Sequence, residues 1–158
     1  MQRDHHAERR IIGIDRNDET IALARDNAVN NGLGSMLKCG TVDFITLDWS
    51  NPEELEALIE ELGPPGVILG SDIVYPGPES PIQPLLEALS SLGDENTSIL
   101  LSFRERSRIV SELVDESKLL GWNPSCLDRI DFEVDVPLDL SSALPLDARD
   151  FRLLTLSK

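Results

Sequence analysis

Short apolar runs alternate with stretches of helical spacing along most of this chain, and that alternation constrains its fold more than any other feature. The runs are Ile11-Ile12-Gly13-Ile14, Thr41 to Leu47, Val67 to Leu69 and Thr97 to Phe103. Each is too short for a helix and rich enough in β-branched or bulky residues to read as a strand buried on both faces. Between and after them come helical stripes: Ile21, Ala24 and Ala28; Leu55, Leu58, Ile59 and Leu62; Ile82, Leu85, Leu86 and Leu89; and Ile109, Val110, Leu113, Val114 and Leu120. Alternation up to residue 121 implies a mostly parallel sheet with helices on both faces. Leu127 to Val136 and Phe151 to Ser157 alternate more like half-exposed strands. The Pro-, Ser- and Asp-rich stretch 137–149 joins them, which implies an antiparallel C-terminal strand pair. The expected class is therefore α/β, in the order β-α-β-α-β-α-β-α-β-β.

Local signals mark the helix ends. Asn17 or Asp18 can cap the first helix, with Glu19 favoured by the dipole, and Asn31-Gly32 stops it. Asn51 caps the second and Pro52 takes its first position, with Glu53 and Glu54 behind; Gly63-Pro64-Pro65 ends it. Ser80 and Pro81 open the third, and Gly93 closes it. The fourth spans Glu105 to Leu120 and stops at Gly121, with Trp122 placed at the sheet edge. Gly32-Leu33-Gly34 is not a phosphate loop, because it follows a helix rather than a strand.

With 158 residues and a hydrophobic fraction of 41%, one domain with one core is expected. The net charge of −15 and pI near 4.3 argue against binding a nucleic-acid backbone and are compatible with a basic partner. Cys39 and Cys126 lack metal-ligand spacing, which points to a reduced cytosolic protein and to no metal site. No run approaches the roughly 20 apolar residues of a membrane span. Met1 to His6 carries no signal-type apolar stretch, and residues 1–10 read as a frayed start.

In an open parallel sheet, ligands sit beyond the carboxyl ends of the strands. Here those ends carry suitable groups. Asp15 ends the first run and is either an acceptor for ribose hydroxyls or a helix-capping acid. Asp48-Trp49 follows the second. Trp49 offers a flat face for adenine or a packing aromatic, and Asp48 can accept from an exocyclic amine. Gly70-Ser71-Asp72-Ile73-Val74-Tyr75 follows the third. Its small residues let backbone approach a ligand, and Asp72 and Tyr75 can face it; the alternative is an ordinary turn.

Taken in order, Ile14-Asp15, Leu47-Asp48-Trp49 and Gly70 to Tyr75 resemble the seven-β-strand methyltransferases, more narrowly the protein-lysine methyltransferases of methyltransferase family 16. Leu100 to Arg104 is also similar, and the resemblance spans nearly the whole chain. It implies a Rossmann-like fold and S-adenosylmethionine as cofactor. It implies that Asp15 binds the ribose, Trp49 with Asp48 the adenine, and Ser71 lines the cofactor by its backbone. Asp72 and Tyr75 would shape the methyl-transfer mouth and the channel for a lysine of a protein substrate, in the cytoplasm or nucleus.

The family's first strand and glycine-rich loop would precede Ile11, where Met1 to Arg10 has no glycine and no strand-like run. Residues 11–158 are thus expected to form a partial, N-terminally truncated methyltransferase domain with impaired activity. The missing strand would leave unpaired edges on its two neighbours, so either those strands pair directly or the chain is expected to be a fragment, a shortened product or an incomplete gene model. The alternatives are a non-catalytic methyltransferase-like binding module, a dinucleotide-binding oxidoreductase domain, and a methyltransferase acting on a small molecule or nucleic acid.

Overall fold

The computed structural model describes residues 10–74, 82–104, 109–127 and 151–158. It divides into two compact units, Met1–Glu54 and Leu55–Lys158.

The first unit holds strand β1 (Ile11–Asp15), helix α1 (Asp18–Asn30), a short helix α2 (Gly34–Lys38) and strand β2 (Val42–Thr46). β1 and β2 pair in parallel, from Ile11 opposite Val42 to Asp15 opposite Thr46. α1 starts where the sequence predicts: the Asn17 side chain accepts from the amides of Glu19 and Thr20. Ile21 and Ala28 are buried and Ala24 is half-buried. Gly32, at φ 83°, ends the helix in a conformation that favours glycine. Gly32-Leu33-Gly34 then opens α2, an element the sequence reading lacks.

Helix α3 (Pro52–Leu62) begins at the end of the first unit and continues into the second. Asn51 caps it, accepting from the Glu53 amide at 3.1 Å. Leu55 is buried, and Leu58, Ile59 and Leu62 are half-buried.

The second unit contains β3 (Val67–Ser71), α4 (Ile82–Leu92), β4 (Ser98–Arg104), α5 (Ile109–Leu119), β5 (Asn123–Leu127) and β6 (Phe151–Ser157). Its strands lie in the order β3-β4-β6-β5. β3 and β4 are parallel, whereas β6 runs antiparallel to both β4 and β5. The mostly parallel α/β architecture with an antiparallel C-terminal pair is as expected. The unit's own core includes Leu85, Leu86, Leu89, Ile99, Leu101, Phe103, Leu113, Leu154 and Leu156, all buried, while Ile21, Ala28, Val42 and Leu47 are buried in the first unit. Trp122 is also buried, donating from its indole to Ser90 Oγ at 3.1 Å, with the Lys158 ammonium 4.9 Å above its ring.

Among the described residues, Asn123–Leu127 is a strand that the sequence reading lacks; the predicted strand Leu127 to Val136 lies, beyond Leu127, outside the described residues. Two expectations are corrected. Leu120, expected inside, is exposed past the end of α5. The runs expected to be buried on both faces are not: Ile11 is 63%, Val67 57% and Leu69 76% exposed. The cause is pairing. β1 has only β2 as a ladder partner and β3 only β4, so each is an edge strand, not an interior one, among the described residues.

Candidate functional site

The carboxyl ends of β1 and β2 form one rim. Asp15 is the last residue of β1, and its carbonyl accepts from the Leu47 amide at 2.9 Å. This bond carries the parallel register one step past β2, so that Asp48 and Trp49 emerge beside Asp15. Asp15 Oδ1 accepts from the Asn17 amide at 2.8 Å. A carboxylate has about four acceptor positions, so Asp15 both shapes the turn into α1 and keeps capacity for two hydroxyl donors. The two sequence readings of Asp15, ligand acceptor and turn-shaping acid, are therefore compatible. Next to it, Thr46 Oγ1 donates to Asp18.

Asp48 is held by a dense local net. Its Oδ1 accepts from the Ser50 hydroxyl at 2.6 Å and the Ser50 amide at 2.9 Å. Its own amide donates to Glu54 Oε2 at 2.9 Å, and its carbonyl accepts from the Asn51 amide at 2.9 Å. The Ser50 hydroxyl bond and then the Ser50 amide bond hold the Asp48 carboxyl below its usual range, against a lesser upward push from burial; the nearby Arg16 charge adds the smallest, downward, contribution. The group is thus a fixed anion at neutral pH, with Oδ2 as the oxygen outside this net. Trp49 is half-buried, so part of its surface is available for a flat ligand.

The end of β3 forms a second rim, in the other unit. Ser71 stands opposite Ser102 of β4, whose hydroxyl donates to Ser71 Oγ at 3.2 Å. The Asp72 amide donates to Ser102 O at 2.8 Å. Asp72 then turns the chain with φ 51°, a left-handed conformation uncommon for any residue but glycine. Behind the corner, Ile73 folds back over Gly70. A Cβ at Gly70 would lie 2.6 Å from Ile73 Cδ1 and 2.8 Å from Leu101 Cδ2. Val74 is buried, which anchors the far side. Ser71 and Asp72 are exposed. A non-glycine residue held left-handed at a strand end is a known mark of functional corners.

So the structure brings Asp15 together with Asp48 and Trp49, and Ser71 together with Asp72. Tyr75 lies outside the described residues. Sequence reasoning missed Ser50, Glu54 and Ser102. A signal existed for Glu54: Asn51 followed three residues later by Glu is a capping-box pattern, and the Asn51 side chain does donate to Glu54 Oε1 at 2.8 Å. Among the described residues, no group of three or more His, Cys, Asp or Glu is placed to hold a metal. No described helix is long and apolar enough to cross a membrane.

The profile of a family described as lysine methyltransferase matches residues 4–118. The chain belongs to that family. It is therefore a class I methyltransferase family member, and the family's methyl donor is S-adenosylmethionine. No curated protein matches the chain. Solved structures share its Rossmann-like fold. A precorrin 8w decarboxylase from Methanobacterium thermoautotrophicum aligns with TM-score 0.55 and 19% identity over 95% of this chain and 70% of its own. A putative rRNA methylase from Clostridium thermocellum gives 0.52 and 16% over 94% and 75%. Fibrillarin from Aeropyrum pernix, solved with natively bound S-adenosylmethionine, gives 0.55 and 14% over 93% and 55%. Identities this low carry the fold and not the substrate.

The described residues fit the adenosine half of that cofactor. A ribose diol needs acceptors for two hydroxyls, which Asp15 retains beside its bond to Asn17. An adenine needs a flat apolar surface and an acceptor for its amine, which Trp49 and Asp48 Oδ2 offer. The glycine-rich strand-to-helix turn expected for the methionine half does not occur among the described residues.

Proposed function

We propose that this chain is an S-adenosylmethionine-dependent methyltransferase of protein lysine. The observation that carries the proposal is the rim at Asp15, Asp48 and Trp49, where one fixed anion, one partly engaged carboxylate and one half-exposed indole end adjacent parallel strands. In this reading Asp15 accepts from the ribose hydroxyls, Trp49 stacks on the adenine, and Asp48 accepts from its amine. Ser71 lines the cofactor through its backbone. Asp72 and Tyr75 border the mouth through which the substrate amine enters, Tyr75 by its position in the sequence.

The bound cofactor supplies an electrophilic methyl on a sulfonium, already a good leaving group. The chain's own task is then orientation and desolvation more than acid–base catalysis. The lysine amine must arrive neutral. An exposed carboxylate on a rigid corner, as Asp72 is, can attract the ammonium form and take its proton through water. The description of the family as lysine methyltransferase supports lysine as the acceptor; the acidity of the chain, −15, supports a basic protein as its carrier.

Two measurements test this. In calorimetric titration with S-adenosylmethionine, Asp15→Ala should weaken binding by about 10- to 100-fold, the worth of hydrogen bonds to a charged acceptor. Transfer of labelled methyl should go to lysine in protein and not to RNA or small molecules. Asp72→Ala and Tyr75→Phe should each lower the rate with cofactor affinity retained. Unchanged transfer in both variants would remove them from the mouth, and transfer to RNA would overturn the substrate class.

A further inference from the structure

Ser50 stands in the turn between β2 and α3, outside both elements, and is exposed. Its hydroxyl and its amide both donate to Asp48 Oδ1, at 2.6 and 2.9 Å. Those two bonds fix the acid of the first rim, and Trp49 is the residue enclosed between the two partners. Two carboxylates follow on the C-terminal side. Glu53, three residues on, and Glu54, four on, are exposed in the first turn of α3.

A serine with acids at those offsets matches what acid-directed protein kinases accept, because a basic cleft takes the downstream carboxylates while the hydroxyl meets the nucleotide. The pattern alone is common, and place sets Ser50 apart. Ser91 also has an acid three residues on, Asp94, but it lies inside α4 with its hydroxyl bonded to Glu87 O. Among the described serines and threonines, Ser50 alone combines an acid at that offset with a position outside helix and strand. Presenting it asks little of the fold. Pro52 already keeps Asn51 out of the helical region, and the first turn of α3 is held by side-chain bonds from Asn51 to Glu54 and to the Glu53 amide, which open locally.

We propose that Ser50 is a phosphorylation site and that its phosphate switches off cofactor binding at this rim, the second clause resting on the reading of Asp48 and Trp49 as the adenine site. In the step, the Ser50 oxygen attacks the γ-phosphorus of ATP and the bond from that phosphorus to the bridging oxygen breaks. ADP leaves, and the hydroxyl proton passes to the base of the kinase. The product carries about −1.5 to −2 charge at neutral pH, on oxygens that accept and do not donate. The donor that Asp48 Oδ1 held at 2.6 Å is then gone, and two anions face each other in its place. The amino end of α3 and the nearby Arg16 favour the phosphate, so Asp48 is the group that gives way. It turns out of the rim and draws Trp49, its chain neighbour, with it. S-adenosylmethionine is a net cation, which added negative charge attracts; the loss of binding comes from the displaced acceptor and indole.

The 158-residue chain is treated with an acid-directed kinase, casein kinase II, and ATP. Mass spectrometry should find phosphate on Ser50, and Ser50→Ala should lose that label; a Ser50 left unmodified would overturn the proposal. In calorimetric titration the phosphorylated chain should bind S-adenosylmethionine at least about tenfold more weakly than the same chain after phosphatase treatment, the worth of one hydrogen bond to a charged group. A readout without cofactor runs beside it. The Asp48 carboxyl carbon, followed by NMR, should titrate at higher pH in the phosphorylated chain, because a donor has become a like charge. An unchanged Asp48 titration would overturn the proposal. So would equal binding before and after phosphatase, and that result would leave the reading of the rim standing. No binding by the phosphatase-treated chain would instead overturn the reading of the rim, and the switch with it.

Discussion

At the end of β1 the chain turns by folding side chains back onto its own amides, Asp15 onto Asn17 and Asn17 onto Glu19 and Thr20. At the end of β3 the backbone itself takes the unusual conformation, with Asp72 left-handed, its amide on Ser102 O, and Ile73 laid over a glycine. The first arrangement is a set of replaceable polar contacts, each worth roughly 0.5–1.5 kcal/mol. The second depends on there being no Cβ at one position and an unusual φ at another. A rim made of side-chain contacts can be retuned residue by residue. A rim made of backbone strain holds one geometry or fails. Ligand recognition suits the former, and fixed presentation of a group at a reaction mouth suits the latter.

Each unit places a glycine under a neighbouring side chain, which gives the sharpest way to break this contrast. At Gly13 a Cβ would lie 2.5 Å from the Phe44 ring, and at Gly70 it would meet Ile73 and Leu101. Phe44 is half-buried and its ring can swing outward, whereas Leu101 is fully buried and cannot. Gly70→Ala should therefore cost about 1–3 kcal/mol, as overpacking does, and Gly13→Ala distinctly less. Urea denaturation of both variants measures this. Equal losses would show that the second rim is no more rigid than the first.

A smaller effect isolates the strained φ of Asp72. Asp72→Ala and Asp72→Gly both delete the carboxylate and whatever it contacts, so their difference reports the backbone. Glycine adopts φ 51° freely and alanine does not. The alanine variant should be less stable by about 1 kcal/mol, with methyl transfer lowered equally in both. A reversed order would mean that the corner relaxes in the variants.

The order of strands and long helices was legible because it is written in apolar period and in caps, as Asn17, Asn51 and Gly93 show. Helix α2 was not, because Gly34 to Lys38 is too short to display a stripe. Strand β5 was not legible because Asn123-Pro124-Ser125 has little β propensity; it is a strand by virtue of its pairing with β6. Burial was overread at Ile11, Val67 and Leu69, since a wholly apolar run cannot reveal whether a neighbour occupies each of its sides. The rim positions Asp15, Asp48, Trp49, Ser71 and Asp72 followed from strand ends alone. Ser50 and Ser102 did not, because their part is defined by a loop and by register across strands.

The smallest effect concerns charge. The Ser50 hydroxyl and amide lower the Asp48 pKa below its ordinary 3.8. A carboxylate whose folded pKa is depressed stabilises the fold fully above its unfolded pKa. That contribution is lost as pH falls through the folded value, so it lies on the acid limb below about pH 4 and does not vary near neutrality. Ser50→Ala removes the largest cause and leaves the amide bond. The carboxyl carbon of Asp48, followed by NMR titration, should then titrate at higher pH than in the parent chain, still on the acid side of neutrality. At pH 7 the variant should keep Asp48 ionised and bind S-adenosylmethionine almost as well as the parent. An unchanged midpoint would mean that the hydroxyl is not what fixes this anion. A large loss of binding at pH 7 would mean that Ser50 acts by placing Trp49, which would make the first rim a matter of geometry as much as the second.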